Sequence, residues 1–231
     1  MEHTSLEDHK IFCIWSGNNQ MSDNRKRCLQ SLEESADCEV VLVTPNNLDT
    51  YILKNNPLHP AYEYLSLTHK ADYLRAYLMY HHGGGYSDIK LNNNSWEKYF
   101  SDLNQSDKQF SGYAEVRPEH VASNYDFVKR DFHKLPGVVH FVFKKNTSLA
   151  KSWLEQVDKI LDIKYELLKK YPGDYHPRAV YGGAFGTSLF KGAKYPLGWN
   201  EILAMIFHEL CYHNSNIYSL SMHYPNTHNY R

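Results

Sequence analysis

Residues 70–90 read KADYLRAYLMYHHGGGYSDIK, and this stretch decides both the fold class and the site that the sequence predicts. Apolar side chains recur at helical spacing over residues 68–82 without an internal proline or glycine, which predicts a helix with one face packed inward. Asp72 and Arg75 lie three positions apart and therefore neighbour each other on that helix. Spacing alone favours a solvent-exposed ion pair, worth roughly 0.3 kcal/mol.

Three glycines follow this helix and predict its end. Gly83, Gly84 and Gly85 tolerate the left-handed backbone that caps helices, so the chain can turn sharply here. Residues 86–91 are then predicted to be extended, with Asp88 at the end of a short strand beside the turn. A carboxylate at such a place is suited to contact a ribose or a metal ion.

The elements before and after this stretch predict an α/β fold. Strands and helices alternate through the first 55 residues, which is typical of a parallel sheet with crossover helices. The predicted strands are 11–15, 40–44, 110–116, 138–143 and 217–222, and the predicted helices are 22–34, 48–53 and 148–171.

Composition predicts one domain of ordinary surface charge. The chain has 231 residues, 42% of them hydrophobic, which suffices for one core over residues 11–231 after a flexible segment, 1–10. A net charge of −1 disfavours nucleic acid as a partner. The four cysteines lack metal-site spacing and indicate a reducing compartment. With no transmembrane run, we expect a cytoplasmic location and leave peripheral membrane association open.

The stretch HKADYLRAYLMYHHGGGYSDIK resembles the core signature of the glycosyltransferases that carry an Asp-x-Asp motif. In particular it resembles the capsular polysaccharide synthesis or sugar-binding-region family, whose relatives include yeast-type α-mannosyltransferases and clostridial glucosylating toxins. Their pattern runs Asp-x-x-Arg, a helix, Gly-Gly-x-Tyr and Asp-x-Asp, and residues 11–17, IFCIWSG, resemble their first strand. The resemblance implies a single Rossmann-like GT-A domain, in which helices flank a central, mostly parallel mixed sheet.

The same resemblance implies roles for individual residues. Trp15 would stack on the nucleotide base, Asp72 and Arg75 would hold the donor sugar, and Asp88 would contact ribose, sugar or metal. These three charged residues are the catalytic candidates.

Further candidates complete the predicted site. Gly85, Lys90 and Thr187 are expected to contact substrate, the last of them because it follows a cluster of glycines. His223, after the predicted strand 217–222, is expected to join Asp88 in holding Mn²⁺ or Mg²⁺. For any one of the 14 histidines, a plain surface or core position is the alternative.

Lys90 departs from the family pattern, because it stands where the second aspartate of the motif would bind the divalent cation. Three interpretations stay open. The ammonium of Lys90 supplies the positive charge near the leaving diphosphate. The metal is kept by Asp88 and a residue from late in the chain. Lys90 points into solvent, and the protein is weakly active or inactive.

The function implied by the resemblance is transfer of a hexosyl or deoxyhexosyl group to a hydroxyl of a growing polysaccharide or glycan. The donor is a nucleoside diphosphate sugar, expected to be UDP-linked, and the anomeric configuration is retained. An inverting route needs a general base, for which Glu115 and Asp126 are the candidates. The alternative function is a non-catalytic or weakly active module that binds nucleotide sugar or glycan, because of Lys90.

Overall fold

A computed structural model describes residues 9–173, 181–182, 187–188 and 194–226. The predicted flexible segment 1–10 lies almost wholly outside the described residues. Strands β1–β8 are Lys10–Ile14, Glu39–Val43, Gly84–Ser87, Phe110–Ala114, Pro136–Phe143, Tyr181–Gly182, Thr187–Ser188 and Tyr218–Ser219. Helices α1–α6 are Asp23–Ser35, Leu67–His81, Glu97–Gln105, Asp126–Arg130, Ser148–Lys170 and Ala204–His213.

Six strands form a mixed sheet in the order β2-β1-β3-β5-β4-β8. Strand β1 pairs in parallel with β2 and β3, and β4 pairs in parallel with β8. Strand β5 lies antiparallel between β3 and β4. The predicted α/β class is confirmed, since helices flank this sheet, and the arrangement is consistent with a GT-A-like fold.

Alternate residues of the strands point to two apolar layers. One layer joins Phe12, Tyr86 and Phe141 to helices α2, α5 and α6. The other joins Ile11 and Val142 to helices α1 and α3. Because both faces of the sheet are covered, its carboxyl edge is where polar side chains can meet a ligand.

Helix α2 agrees with the predicted helix 68–82 to within one residue at each end. Ser66 caps its start, since the side-chain Oγ accepts a hydrogen bond from the His69 amide at 3.3 Å. Gly83 and Gly84 follow its end with φ angles of 67° and 84°, in the left-handed region that glycine adopts readily. A side chain at Gly83 would also meet the Lys145 backbone, so the sharp turn into β3 depends on glycine.

Several predicted boundaries of strands and helices were wrong. Strand β3 ends at Ser87, so Asp88 follows the strand directly instead of lying within an extended piece that reaches residue 91. The predicted helix 48–53 is a single 3-10 turn, Leu48–Tyr51, and the predicted strand 217–222 is only the two-residue β8.

Among the helices that the structure describes, none combines the length and the hydropathy of a membrane span.

Candidate functional site

A cavity of about 520 Å³ opens at the sheet edge where β1 and β3 end. Its volume falls in the range of roughly 300–1,000 Å³ that small-molecule sites occupy. The wall combines the turn after β1, the start of α2, the loop after β3 and a loop before α6. The lining residues are Ile14, Trp15, Ser16, Gly17, Asn19, Arg25, Leu67, Thr68, Ala71, Asp72, Arg75, Tyr86, Asp88, Ile89, Lys90, Val138, Trp199, Asn200 and Leu203.

Arg75 is the centre of a buried hydrogen-bonded cluster in this wall. Its Nη2 donates to the Tyr86 hydroxyl at 2.8 Å and to Asp88 Oδ1 at 3.2 Å, and it lies 3.5 Å from Asp72 Oδ1. Its Nη1 donates to the Val138 carbonyl at 2.5 Å. The Tyr86 hydroxyl in turn donates to Asp88 Oδ1 at 2.8 Å. These bonds fix the orientation of the Asp88 carboxylate.

Asp72 and Arg75 therefore do not form the solvent-exposed ion pair that spacing alone allowed. Asp72 is 3% exposed and Arg75 is 5% exposed, because strands β3 and β5 cover this face of α2. Burial raises the pKa of Asp72 to about 7, and Asp88 adds to the shift, while Arg75 opposes it. Asp72 can thus hold or release a proton near neutral pH.

Burial also acts on the pKa values of Tyr86 and Arg75, the two residues that hold Asp88. It raises the pKa of Tyr86 well above its ordinary value, so this phenol remains a hydrogen-bond donor. For Arg75, burial alone would lower the pKa, but Tyr86, Asp88 and Asp72 together raise it. The cluster accordingly keeps a permanent cation between two carboxyl groups.

Lys90 lines the cavity with a side chain that is only 11% exposed, and its Nζ lies 3.9 Å from Asp88 Oδ2. The interpretation in which Lys90 points into solvent is therefore wrong. Arg25 of α1 reaches the same loop, because its Nη1 donates to the Ile89 carbonyl at 2.6 Å. Two cationic side chains, Lys90 and Arg25, thus contact the loop that carries Asp88 or belong to it.

Trp15 follows β1 and lines the cavity. The sequence predicts that the base of a nucleotide stacks on it there. Its indole N–H donates to the Asn19 carbonyl at 2.7 Å, which fixes the ring in the turn after the strand. The neighbouring Ser16 hydroxyl donates to the Leu67 carbonyl at 2.6 Å and joins this turn to the start of α2. The indole is therefore held by local contacts at the mouth of the site.

Sequence reasoning missed Trp199, which is 40% exposed and forms part of the cavity wall. The loop that carries it is held by His69, whose Nε2 lies 3.0 Å from the Gly198 carbonyl and whose Nδ1 lies 2.9 Å from the Tyr195 hydroxyl. Burial lowers the pKa of His69 to about 4, so this ring is neutral. The available signal was an aromatic residue directly after Pro196-Leu197-Gly198, whose proline and glycine indicate a turn.

His223 does not line the cavity as the described residues form it. Its Nδ1 lies 3.2 Å from the Tyr99 hydroxyl, and its ring packs at 4.6 Å from that of His140, on the face of the sheet that α3 covers. Burial lowers its pKa. The prediction that His223 joins Asp88 at a metal is corrected, because aromatic packing places its ring in another layer.

Gly85 is also displaced from its predicted role. It lies inside β3, and a side chain there would stand 3.1 Å from both Ile11 and Trp96, in the interior instead of the cavity. The absence of a side chain at Gly85 therefore serves the close packing of β3 against Ile11 and Trp96. Thr187 lies in β7, which pairs with β6 outside the main sheet, and its side chain is outside what the structure describes.

The two candidates for a general base are placed elsewhere. Glu115 is buried directly after β4, and its Oε2 lies 3.1 Å from His120 Nδ1. Burial raises the pKa of Glu115, whereas His120 lowers it. Asp126 begins α4 with an exposed side chain. Neither residue belongs to the described wall of the cavity.

A divalent cation has few protein ligands at this site. Within residues 9–173 and 194–226, no three side chains of His, Cys, Asp or Glu come close enough together to hold a metal ion. Asp88 Oδ1 already accepts two hydrogen bonds, and Oδ2 faces the ammonium of Lys90. These surroundings do not fit a metal held by protein ligands.

Comparison with known proteins supports the resemblance found in the sequence. Residues 1–111 match a family model described as "Capsular polysaccharide synthesis protein". The match contains Trp15, Asp72, Arg75, Asp88 and Lys90, and it confirms over these residues the resemblance that the motif predicted. Residues 112–231 lie outside the match.

The other comparisons add little. No curated protein matches the chain. One solved structure, "PaToxG Glycosyltransferase", has a TM-score of 0.43 and 15% identity, over 72% of this chain and 65% of that chain. A likeness at that score establishes neither the fold nor the function of this protein.

Proposed function

We propose that this protein is a glycosyltransferase that transfers a sugar from a nucleoside diphosphate donor to a hydroxyl acceptor on a growing polysaccharide or glycan. The donor is UDP-linked, its sugar is a hexose or deoxyhexose, and the configuration at the anomeric carbon is retained. The match of residues 1–111 to the capsular polysaccharide synthesis family supports this class of reaction. We place the activity in one cytoplasmic domain.

One observation carries the proposal. Asp88 is presented to a cavity at the carboxyl end of β3, and Arg75 and Tyr86 hold its carboxylate in one orientation. Open α/β sheets bind ligands at this edge, outside the carboxyl ends of their strands. A carboxylate whose orientation is fixed by buried partners is preorganised to accept hydrogen bonds from the hydroxyl groups of a sugar or ribose.

The other residues of the wall suit different parts of such a donor. The indole of Trp15 offers an aromatic surface for the base. Asp72 lies deeper, beside Arg75, and can accept hydrogen bonds from sugar hydroxyls. Arg75 itself is engaged by Val138, Tyr86 and Asp88, so we assign it to positioning of the carboxylates.

The proposed transfer needs no carboxylate base. The bond between the anomeric carbon and the phosphate oxygen breaks, and its electron pair stays on the diphosphate. The acceptor oxygen forms the new bond to the same face of the anomeric carbon, and its proton passes to the departing diphosphate. Asp72 and Asp88 are the carboxyl groups in the described wall, and both are held by Arg75.

The direct test is turnover with a panel of donors. Release of free nucleotide is measured from UDP-glucose, UDP-galactose, UDP-N-acetylglucosamine and GDP-mannose, with and without manganese. We expect turnover of at least one donor and loss of turnover in Asp88→Asn, which keeps the size of the side chain. The matched control is Asp107→Asn, whose carboxylate is 84% exposed on the surface.

The alternative is a module that binds nucleotide sugar or glycan without turnover, and Lys90 in the motif is the observation that favours it. Nucleotide binding with no release of sugar from any donor would support the module. If the protein bound none of these nucleotides, the assignment of the cavity to a donor would be wrong.

A further inference from the structure

The loop that follows β3 carries a largely buried positive charge at the position where the Asp-x-Asp pattern has a second carboxylate. Lys90 is largely buried in the cavity wall, and its Nζ lies 3.9 Å from Asp88 Oδ2. The opposite oxygen, Oδ1, accepts from Arg75 at 3.2 Å and from Tyr86 at 2.8 Å. The carboxylate thus has cationic neighbours on both sides.

A divalent cation on Asp88 would conflict with this arrangement. Metal-to-carboxylate distances are about 2.0–2.6 Å, so a metal bound to Oδ2 would lie at most about 6.5 Å from the Lys90 ammonium. A divalent cation would repel the ammonium at that distance. The part of the chain that the structure describes also brings no second and third ligand to Asp88.

Arg25 adds a second cationic group at the same place. It comes from α1, lines the cavity, and donates through Nη1 to the Ile89 carbonyl at 2.6 Å, between Asp88 and Lys90 in sequence. The guanidinium therefore holds the loop that carries Lys90. A diphosphate needs this kind of positive charge, since it gains negative charge when the sugar departs.

We propose that the Lys90 ammonium, with Arg25 beside it, binds the diphosphate of the donor in place of a divalent cation, so that nucleotide binding is independent of metal. This proposal rests on the donor site proposed above and assigns the part of it that holds the phosphates. During transfer the ammonium stabilises the negative charge on the departing diphosphate by hydrogen bonding and keeps its own protons.

The test is isothermal titration calorimetry with UDP and with uridine, which lacks the diphosphate, each in EDTA and in manganese. The variants are Lys90→Met, which keeps the length of the side chain without its charge, and Lys90→Asp, which restores the Asp-x-Asp pattern. The matched control is Lys98→Met, because Lys98 is 76% exposed on α3 and pairs with Asp102.

We expect the wild-type Kd for UDP to be the same in EDTA and in manganese. Loss of a charged hydrogen bond should weaken UDP binding by Lys90→Met about 10- to 100-fold. Uridine binding by Lys90→Met should stay unchanged, which also shows that the variant is folded, and Lys98→Met should bind as the wild type does. Lys90→Asp should bind UDP tightly only with manganese.

Two results would overturn the proposal while leaving the donor site intact: wild-type UDP binding that EDTA removes, or UDP binding by Lys90→Met at wild-type strength. The first needs only the wild-type protein, so it decides even if a variant fails to fold. Failure of the wild type to bind either UDP or uridine would instead refute the donor site together with this proposal.

Discussion

Removing the hydroxyl of Tyr86 tests whether the charged cluster around Arg75 is what holds Asp88. Tyr86→Phe deletes one hydrogen bond from Arg75 Nη2 and one to Asp88 Oδ1, each 2.8 Å long. Tyr77→Phe is a matched change, because the Tyr77 hydroxyl also makes two bonds, to the Leu53 amide at 2.9 Å and to the Asn56 carbonyl at 2.5 Å. Both tyrosines are buried.

The two variants should differ in stability because only one pair of bonds involves charged groups. Hydrogen bonds to charged partners contribute about 1.5–3 kcal/mol each, so Tyr86→Phe should lower the free energy of unfolding by about 3 kcal/mol or more. Neutral bonds contribute about 1 kcal/mol each, which predicts a loss of about 2 kcal/mol for Tyr77→Phe. Urea unfolding with linear extrapolation measures both values.

Coupling to Asp88 makes the test specific. In a double-mutant cycle of Tyr86→Phe with Asp88→Asn, the interaction free energy should be about 1 kcal/mol or more, since the two groups share a bond. A cycle of Tyr77→Phe with Asp88→Asn should be additive. If Tyr86→Phe cost no more than Tyr77→Phe, or if its cycle were additive, the cluster would not hold Asp88 as described.

Three further outcomes are expected. Asp72 has a folded-state pKa of about 7 against an ordinary 3.8, so its contribution to stability is present below pH 4 and is lost as pH rises to 7. The wild type should therefore lose stability relative to Asp72→Asn by a few kcal/mol, roughly 4 at most, when urea unfolding is compared at pH 4 and pH 8; an unchanged difference would contradict the raised pKa. Trp15→Ala should weaken UDP binding by about 1–3 kcal/mol in calorimetry whereas Trp15→Phe keeps most of it, and equal losses would exclude stacking. Gly85→Ala should lower the free energy of unfolding in urea by about 1–3 kcal/mol, because its methyl group would stand 3.1 Å from Trp96. An unchanged free energy of unfolding would mean that Trp96 and its neighbours can move to make room.

Local patterns in the sequence predicted the elements that local chemistry controls. The helical spacing of apolar residues predicted helix α2 to within one residue at each end, and its end follows from Gly83 and Gly84, whose backbone is left-handed. The place of Asp88 at the carboxyl end of a strand follows from the same short stretch. These features need no information from distant parts of the chain.

Contacts between distant segments decided what the sequence could not predict. The burial of Asp72 and Arg75 depends on Tyr86 and Val138, which come from β3 and β5. Trp199 reaches the cavity because His69, far away in sequence, holds its loop.

The failure for His223 has the same origin. Its ring packs with those of Tyr99 and His140, and neither contact has a signature in the residues around position 223. Spacing within one segment cannot reveal which of two layers a side chain enters.

The most direct measurement of the central claim is a crystal structure of the protein with UDP. The account predicts that the uracil ring lies against Trp15 and that the diphosphate lies beside Lys90, with Asp88 near the ribose or the sugar position. UDP bound outside the cavity, or inside it with its diphosphate away from the loop after β3, would contradict the account.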